Sequence, residues 1–85
     1  MLPNMKTFYL DIVTPTQSVF SGEVISVASP GTNGIFQILS EHAPFLSSLK
    51  DGEIEIILAD NSKQKFPIKS GFFEVNKNKA IALID

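Results

Sequence analysis

Hydrophobic and polar residues alternate along most of this chain, in short runs that turn-forming residues separate. The first run begins at Lys6, and its residues Phe8, Leu10 and Ile12 share one side of an extended backbone. Alternation of this kind is typical of strands with one buried face. No segment offers a sustained helical period, so the pattern predicts an all-β chain.

Nine runs have the length and composition of β-strands, and Gly, Pro, Asn, Asp and Ser mark the turns between them. The predicted strands are residues 6–13, 18–20, 24–28, 35–39, 45–49, 53–59, 63–68, 72–76 and 79–84. About ten short strands at this spacing are typical of a small antiparallel β-sandwich or flattened barrel, which is the predicted fold.

Two details of this prediction concern the order of the strands. Residues Ser21-Gly22-Glu23 are expected to form a turn between the second and third strands. Residues 53–59 and 63–68 form the most regular hairpin. Pro67 indicates that the second arm lies at an edge or carries a bulge, because proline cannot donate to a ladder.

The composition supports one small domain and argues against several kinds of partner. The chain has 85 residues, 44% of them hydrophobic, and no cysteine, so one apolar core is expected without disulfides or thiolate metal sites. A net charge of −2 argues against nucleic-acid binding. No apolar run approaches the ~18 residues that span a bilayer, so no direct membrane insertion is expected. Residues 1–5 are predicted to be a disordered lead and residues 6–85 a single domain.

His42 is the only histidine and so the main candidate for acid–base catalysis or metal binding. Neighbours such as Ser40 and Glu41 on a tight turn usually point apart, and one histidine among scattered carboxylates makes a poor metal site. The turn at residues 30–34 lacks the following helix that a phosphate-binding loop requires. We therefore expect no catalytic residue, no metal and no cofactor. We interpret His42 as hydrogen-bonding its own turn or contacting a partner.

Apolar residues also occur on faces that the alternation turns outward. Phe72 is predicted to share such a face with Glu74 and Asn76, while Phe73 and Val75 point inward. Contiguous exposed apolar groups mark contact surfaces. The pattern alone therefore predicts a domain that works by binding another protein, with a small enzyme or ligand-binding barrel around His42 as the competing hypothesis.

The region around His42 resembles a pattern in the epsilon subunit of bacterial F-type ATP synthases. In that family a P-G-x-x-G turn precedes an apolar strand, and H-A-P with an apolar pair follows. The matching residues here are Pro30, Gly31, Gly34, Phe36, Ile38, Leu39, His42, Ala43, Pro44, Phe45 and Leu46. The resemblance continues in order through LDIVTPTQSVFSGEV, LKDG and SGFFEV, and it covers about residues 6–85.

The chain departs from the family pattern in a few residues and in length. Ile35 stands where an acidic residue is common, Ser40-Glu41 where Pro-Gly is common, and Ser70 where glycine is usual. Typical members continue into a C-terminal hairpin of two helices, which can inhibit ATP hydrolysis and in some members binds ATP. The present sequence stops at Asp85, either as a natural short form, which we favour, or because it was cut at the domain boundary. In both cases the resemblance implies no inhibitory hairpin and no ATP site in this polypeptide.

The resemblance implies a ten-stranded sandwich at the foot of the central stalk of a proton-translocating ATP synthase. Such a subunit is non-catalytic, binds the gamma subunit and the c-ring, couples rotation to ATP synthesis, and lies peripherally at the cytoplasmic face of the bacterial inner membrane. By analogy with the family, c-ring contacts are expected at Gly31, Thr32, Asn33, Gly34 and Ile35. Gamma contacts are expected at His42, Ala43, Pro44, Phe45 and Phe72. The alternative is a generic β-sandwich protein-interaction adaptor.

Overall fold

The computed structural model describes residues 6–85 and confirms the predicted all-β class. The predicted lead at residues 1–5 lies outside the described residues. Eight strands follow one another as β1 (Phe8–Val13), β2 (Ser18–Gly31), β3 (Gly34–Leu39), β4 (Phe45–Leu49), β5 (Gly52–Leu58), β6 (Lys63–Ile68), β7 (Gly71–Asn76) and β8 (Lys79–Ile84). None of these residues forms a helix that could cross a membrane.

The eight strands form one hydrogen-bonded sheet that folds into a sandwich-like body. Its order is β1-β8-β7-β4-β2-β5-β6, with β3 added beside β2 and a further pairing between β1 and β2. One layer therefore contains β1, β8, β7, β4 and the first part of β2. The other contains the second part of β2 with β3, β5 and β6.

The long strand β2 explains why there are fewer strands than predicted. The expected turn at residues 21–23 is wrong, because these residues pair antiparallel with β1 and the strand runs on. Residues Val24 to Val27 are all buried in succession, and the register with β5 shifts between Val24 and Ser26. A bulge of this kind bends a strand. The bend lets β2 leave β1 and enter the other layer, so two predicted strands are halves of one.

The first and last strands lie side by side and run parallel, whereas the fold was predicted to be antiparallel throughout. β1 pairs with β8 in register from Tyr9 with Lys79 to Val13 with Leu83. The other strand pairs among the described residues are antiparallel. Local patterns carry no information on a pairing between the two ends of a chain, so this pair could not be predicted from the alternation.

The core follows the predicted alternation closely. Its largest fully buried side chains are Phe8, Phe73, Leu10, Ile12, Ile38, Ile54, Ile56, Val24, Val27 and Val75. The ring of Phe36 on β3 lies 5.2 Å from that of Phe73 on β7 and 4.9 Å from that of Phe45 on β4. Both contacts are edge-on and join the two layers. The predicted hairpin of β5 and β6 is confirmed, and Pro67 lies on the edge strand β6.

Candidate interaction surfaces

The turn between β2 and β3 contains the residues expected to contact the c-ring. Thr32, Asn33, Gly34 and Ile35 are exposed, whereas Gly31 is buried. A Cβ at Gly31 would lie 2.8 Å from the Gly34 carbonyl oxygen, and Gly34 has a φ of 130°. A side chain at position 31 would clash with the Gly34 carbonyl. A side chain at position 34 would strain the backbone, because L-residues rarely adopt this φ. The sharp P-G-x-x-G turn thus depends on both glycines.

The tip of this turn is attached to β4. The Thr32 amide donates to the Ser48 carbonyl at 3.1 Å, and the Oγ atoms of the two residues lie 2.9 Å apart. Ile35 follows the turn and is 81% exposed, the highest value among the large apolar residues described. The turn therefore offers a fixed, exposed surface that ends in an apolar side chain.

The loop at residues 40–44 contains most of the residues expected to contact the gamma subunit. Residues from other parts of the chain hold this loop in place. Glu41 has a φ of 61°, and its amide donates to the Asn78 Oδ1 at 2.6 Å. Asn78 in turn donates from Nδ2 to the Thr7 carbonyl at 3.1 Å. One side chain from the β7–β8 turn thus joins this loop to the segment before β1.

An ion pair supplements that anchor. The Lys6 Nζ lies 2.6 Å from the Glu41 Oε2. The hydrogen bond from Lys6 and then its positive charge hold the pKa of Glu41 below its ordinary value, and the same bond raises the pKa of Lys6. Both side chains are exposed, so solvent and salt screen the pair.

His42, Ala43 and Pro44 are exposed in this loop, whereas Phe45 is half-buried. The His42 Nδ1 lies 2.7 Å from the Ala43 carbonyl oxygen, and its ring centroid is 5.9 Å from that of Phe45. The imidazole thus bonds its own turn, as one of the two interpretations of His42 expected. Phe45 points into the sandwich towards Phe36. Among residues 6–85 no group of three or more His, Cys, Asp or Glu side chains could hold a metal ion.

Phe72 lies on the outer face of β7 with 59% of its surface exposed, which confirms the predicted outward orientation. The strand registers place it opposite Ser48 on β4 and opposite Leu83 on β8, and Leu83 in turn lies opposite Val13 on β1. Phe72, Leu83 and Val13 therefore form an apolar row, which borders a groove of about 610 Å³.

Sequence reasoning missed Leu83 and Val13 as members of this surface. In β8 the small residues Ala80 and Ala82 are buried, and the larger Leu83 faces outward. The apolar run KAIALI gives no clear sign of which side faces the core. The alternation in β7 is clearer, because Glu74 and Asn76 mark the side of Phe72 as the outer face. That signal could have identified the outer face of the neighbouring strand β8.

The structure separates Phe72 from the other residues expected to contact the gamma subunit. Phe45 lies opposite Val75 at one end of the β4–β7 ladder and faces inward, whereas Phe72 lies nearer the other end and faces outward. Phe72 is instead the cross-strand neighbour of Ser48, which holds Thr32. The apolar row is therefore adjacent to the β2–β3 turn rather than to His42.

Comparison with known proteins agrees with this architecture. Residues 7–85 match the family described as "ATP synthase, Delta/Epsilon chain, beta-sandwich domain". The "ATP synthase epsilon chain" proteins of Chlorobium limicola and Chlorobaculum tepidum are each 52% identical over 85 residues, which is all of this chain and 97% of theirs. The Nitratiruptor protein of the same name is 46% identical over 81 residues, 95% of this chain and 63% of its own.

Two solved structures share the fold at low sequence identity. A chain in the Euglena gracilis mitochondrial ATP synthase, a structure of OSCP, F1 and the c-ring, superposes with a TM-score of 0.87 at 17% identity. This match covers 99% of the present chain and 52% of the Euglena chain. A chain in the central stalk and c-ring structure of the Tetrahymena thermophila enzyme gives 0.78 at 13% identity, covering 96% and 66%. With the family match over nearly all of its described residues, the chain belongs to the β-sandwich family of ATP synthase delta and epsilon chains.

Proposed function

We propose that this chain is an epsilon-type subunit of the central stalk of a proton-translocating F-type ATP synthase. The observation that carries the proposal is the 52% identity to epsilon chains over the whole chain and 97% of those proteins. The subunit is non-catalytic, and ATP synthesis takes place on other subunits. Its contribution is to join the gamma subunit to the c-ring, so that rotation of the ring turns the shaft.

The c-ring contact is assigned to the β2–β3 turn. Support comes from its two glycines and the exposed Ile35. Two hydrogen bonds between Thr32 and Ser48 hold the tip in place. A contact that transmits force benefits from a tip of fixed geometry, and these bonds provide one.

The gamma contacts are assigned to the loop at residues 42–45 and to Phe72. The exposed His42, Ala43 and Pro44 offer a short surface that Asn78 and Lys6 hold in place through Glu41. Phe72 offers a second, apolar surface on a different face. Because the two surfaces are separate, a gamma subunit that contacts both must bind two different parts of the domain. Half-buried Phe45 would then act mainly by supporting the loop.

As part of this complex the subunit is peripheral to a membrane. By analogy with bacterial relatives, we place it at the cytoplasmic face of the plasma membrane. It needs no ATP site of its own for the role proposed here.

Coexpression with the gamma subunit of the same genome tests the proposal, with size-exclusion chromatography and native mass spectrometry as readouts. A stable one-to-one complex is expected. If the two proteins elute separately at micromolar concentration, the stalk role is refuted and a generic β-sandwich adaptor becomes the better hypothesis. An adaptor would bind another protein and leave gamma untouched.

A further inference from the structure

Strand β3 forms an edge of the sheet, and one side of its backbone has no strand partner among the described residues. It pairs with β2 from Ser26 with Leu39 to Gly31 with Gly34. Strand β6 is another edge, but it differs in composition. Lys63, Lys65 and Pro67 lie along β6, and such residues discourage the addition of another strand. Strand β3 reads GIFQIL and contains neither a charge nor a proline.

The hydrogen-bond pattern identifies which residues of β3 face the open side. In a two-residue hairpin the residues that flank the turn, here Gly31 and Gly34, form a hydrogen-bonded pair, and the pairs then alternate. Pro30 has no N–H, and its carbonyl accepts from the Lys50 amide at 2.9 Å, away from β3. Its partner Ile35 therefore makes no ladder bonds to β2. By the same alternation Ile35, Gln37 and Leu39 direct their N–H and C=O groups outward.

The side chains of these three residues share one exposed face. Ile35 and Leu39 are 81% and 54% exposed, and Gln37 between them is also exposed. On the opposite face of the strand, Phe36 and Ile38 pack against the core. The edge thus combines free backbone groups with aliphatic side chains, which is the composition that favours strand addition.

We propose that two copies of this chain associate by antiparallel pairing of their β3 strands about a two-fold axis at Gln37. In this register Gln37 faces its counterpart, and Ile35 of each copy faces Leu39 of the other. Residues 35, 37 and 39 are alternate residues whose backbone groups all point to the open side. Each outward N–H and C=O therefore meets a complementary group of the other copy. An isologous interface of this kind requires a self-complementary surface.

Charge and side-chain chemistry agree with self-pairing. No charged residue lies within β3, so two copies meet without repulsion there. The pairing would place Ile35 of each copy beside Leu39 of the other and bring two Gln37 amides together, which can hydrogen-bond to each other. The area covered is small, so we expect a weak and reversible dimer of the free subunit rather than an obligate one.

Sedimentation velocity of the isolated chain over a series from micromolar to millimolar concentration tests this proposal. We expect the mass to rise towards that of a dimer. Gln37→Lys should weaken the association by on the order of tenfold or more, because it places two like charges at the axis and removes the amide pair. Gln64→Lys makes the same chemical change on the edge strand β6 and should leave the association constant unchanged. Gln37→Pro removes an outward N–H without touching the bonds to β2 and should also weaken it.

Amide hydrogen exchange provides a second readout, because it distinguishes the outward amides of β3 from those already bonded to β2. Protection of the Ile35, Gln37 and Leu39 amides should increase with protein concentration, whereas the Phe36 and Ile38 amides, already bonded to β2, should not change. A chain that stays monomeric throughout overturns the proposal. So does a dimer that survives both Gln37 variants, since it would form elsewhere. If the exchange of these amides does not depend on protein concentration but slows when the gamma subunit is added, the β3 edge binds gamma instead. That result would also overturn self-pairing.

Discussion

The side-chain oxygens of Thr32 and Ser48 lie 2.9 Å apart and join the β2–β3 turn to β4 near its C-terminal end. The Thr32 amide adds a second bond, to the Ser48 carbonyl. Ser48 is also the cross-strand neighbour of Phe72. The turn assigned to the c-ring contact and Phe72, assigned to the gamma contact, are thus connected through one serine.

Removal of this link should loosen the turn more than it destabilises the domain. We expect Thr32→Ala and Ser48→Ala each to lower the free energy of unfolding by at most ~1 kcal/mol, because the bond is exposed. The double variant should cost less than the sum of the two, with a coupling of about 0.5–1 kcal/mol. Urea denaturation gives these values. Additive single effects would show that the two hydroxyls do not interact in solution.

Phe72 and Phe73 are adjacent in sequence and on opposite faces, so the same change should have different effects. Phe73 is fully buried, and Phe73→Ala should lower the free energy of unfolding by ~3–5 kcal/mol. Phe72→Ala should cost less than about 1 kcal/mol but weaken binding to the gamma subunit. Denaturation and titration with gamma measure the two effects. Unchanged gamma affinity would remove Phe72 from that interface.

Asn78 should control the loop at residues 40–44 from a distance. Asn78→Gly keeps a residue that tolerates the φ of 61° at this position but removes both hydrogen bonds, to the Glu41 amide and the Thr7 carbonyl. We expect a loss of ~1–2 kcal/mol in stability and faster exchange of the Glu41 amide. Asn61→Gly, at a turn residue with a φ of 70°, is the matched control and should have a smaller effect. Equal losses would mean that backbone freedom alone is responsible.

The pair of Lys6 and Glu41 should make a small, pH-dependent contribution to stability. The folded chain lowers the pKa of Glu41, so its contribution is complete above the ordinary value of 4.5 and is lost as the pH falls through the lowered one. The folded chain raises the pKa of Lys6, so that contribution is lost only as the pH rises above 10.5. The stability difference between the natural chain and Glu41→Gln should therefore be present at neutral pH, shrink in acid and shrink in high salt. A difference that persists in acid and salt would contradict this, and Glu74→Gln serves as the control.

The alternation of residues was sufficient to predict which sides of β1, β5 and β7 face the core. It succeeded at Phe8, Ile54 and Phe73, because each has at least one polar neighbour, namely Thr7, Glu53 and Glu74. It failed at residues 21–23, where a serine and a glycine suggested a turn but pairing with β1 keeps the backbone extended. Tertiary pairing overrode local turn propensity at that point.

The candidate surfaces were predicted less completely than the fold. Family resemblance singled out the glycines of the β2–β3 turn and the residues around His42. It did not reveal that Glu41 is held by Asn78, which lies 37 residues away in the chain. Nor did it reveal the apolar row of Phe72, Leu83 and Val13, whose members come from three strands. Contacts of this kind depend on the strand order, which local sequence does not encode.

The parallel pairing of β1 with β8 has a consequence for the synthesis of this protein. Strand β1 is flanked by β2 on one side and by β8, the last of the eight described strands, on the other. Until β8 leaves the ribosome, one edge of β1 stays open and the core lacks Ala80, Ala82 and Ile84. Contacts between distant parts of a chain form slowly. We therefore expect the nascent chain to remain incompletely folded, and dependent on protection from aggregation, until β8 has left the ribosome.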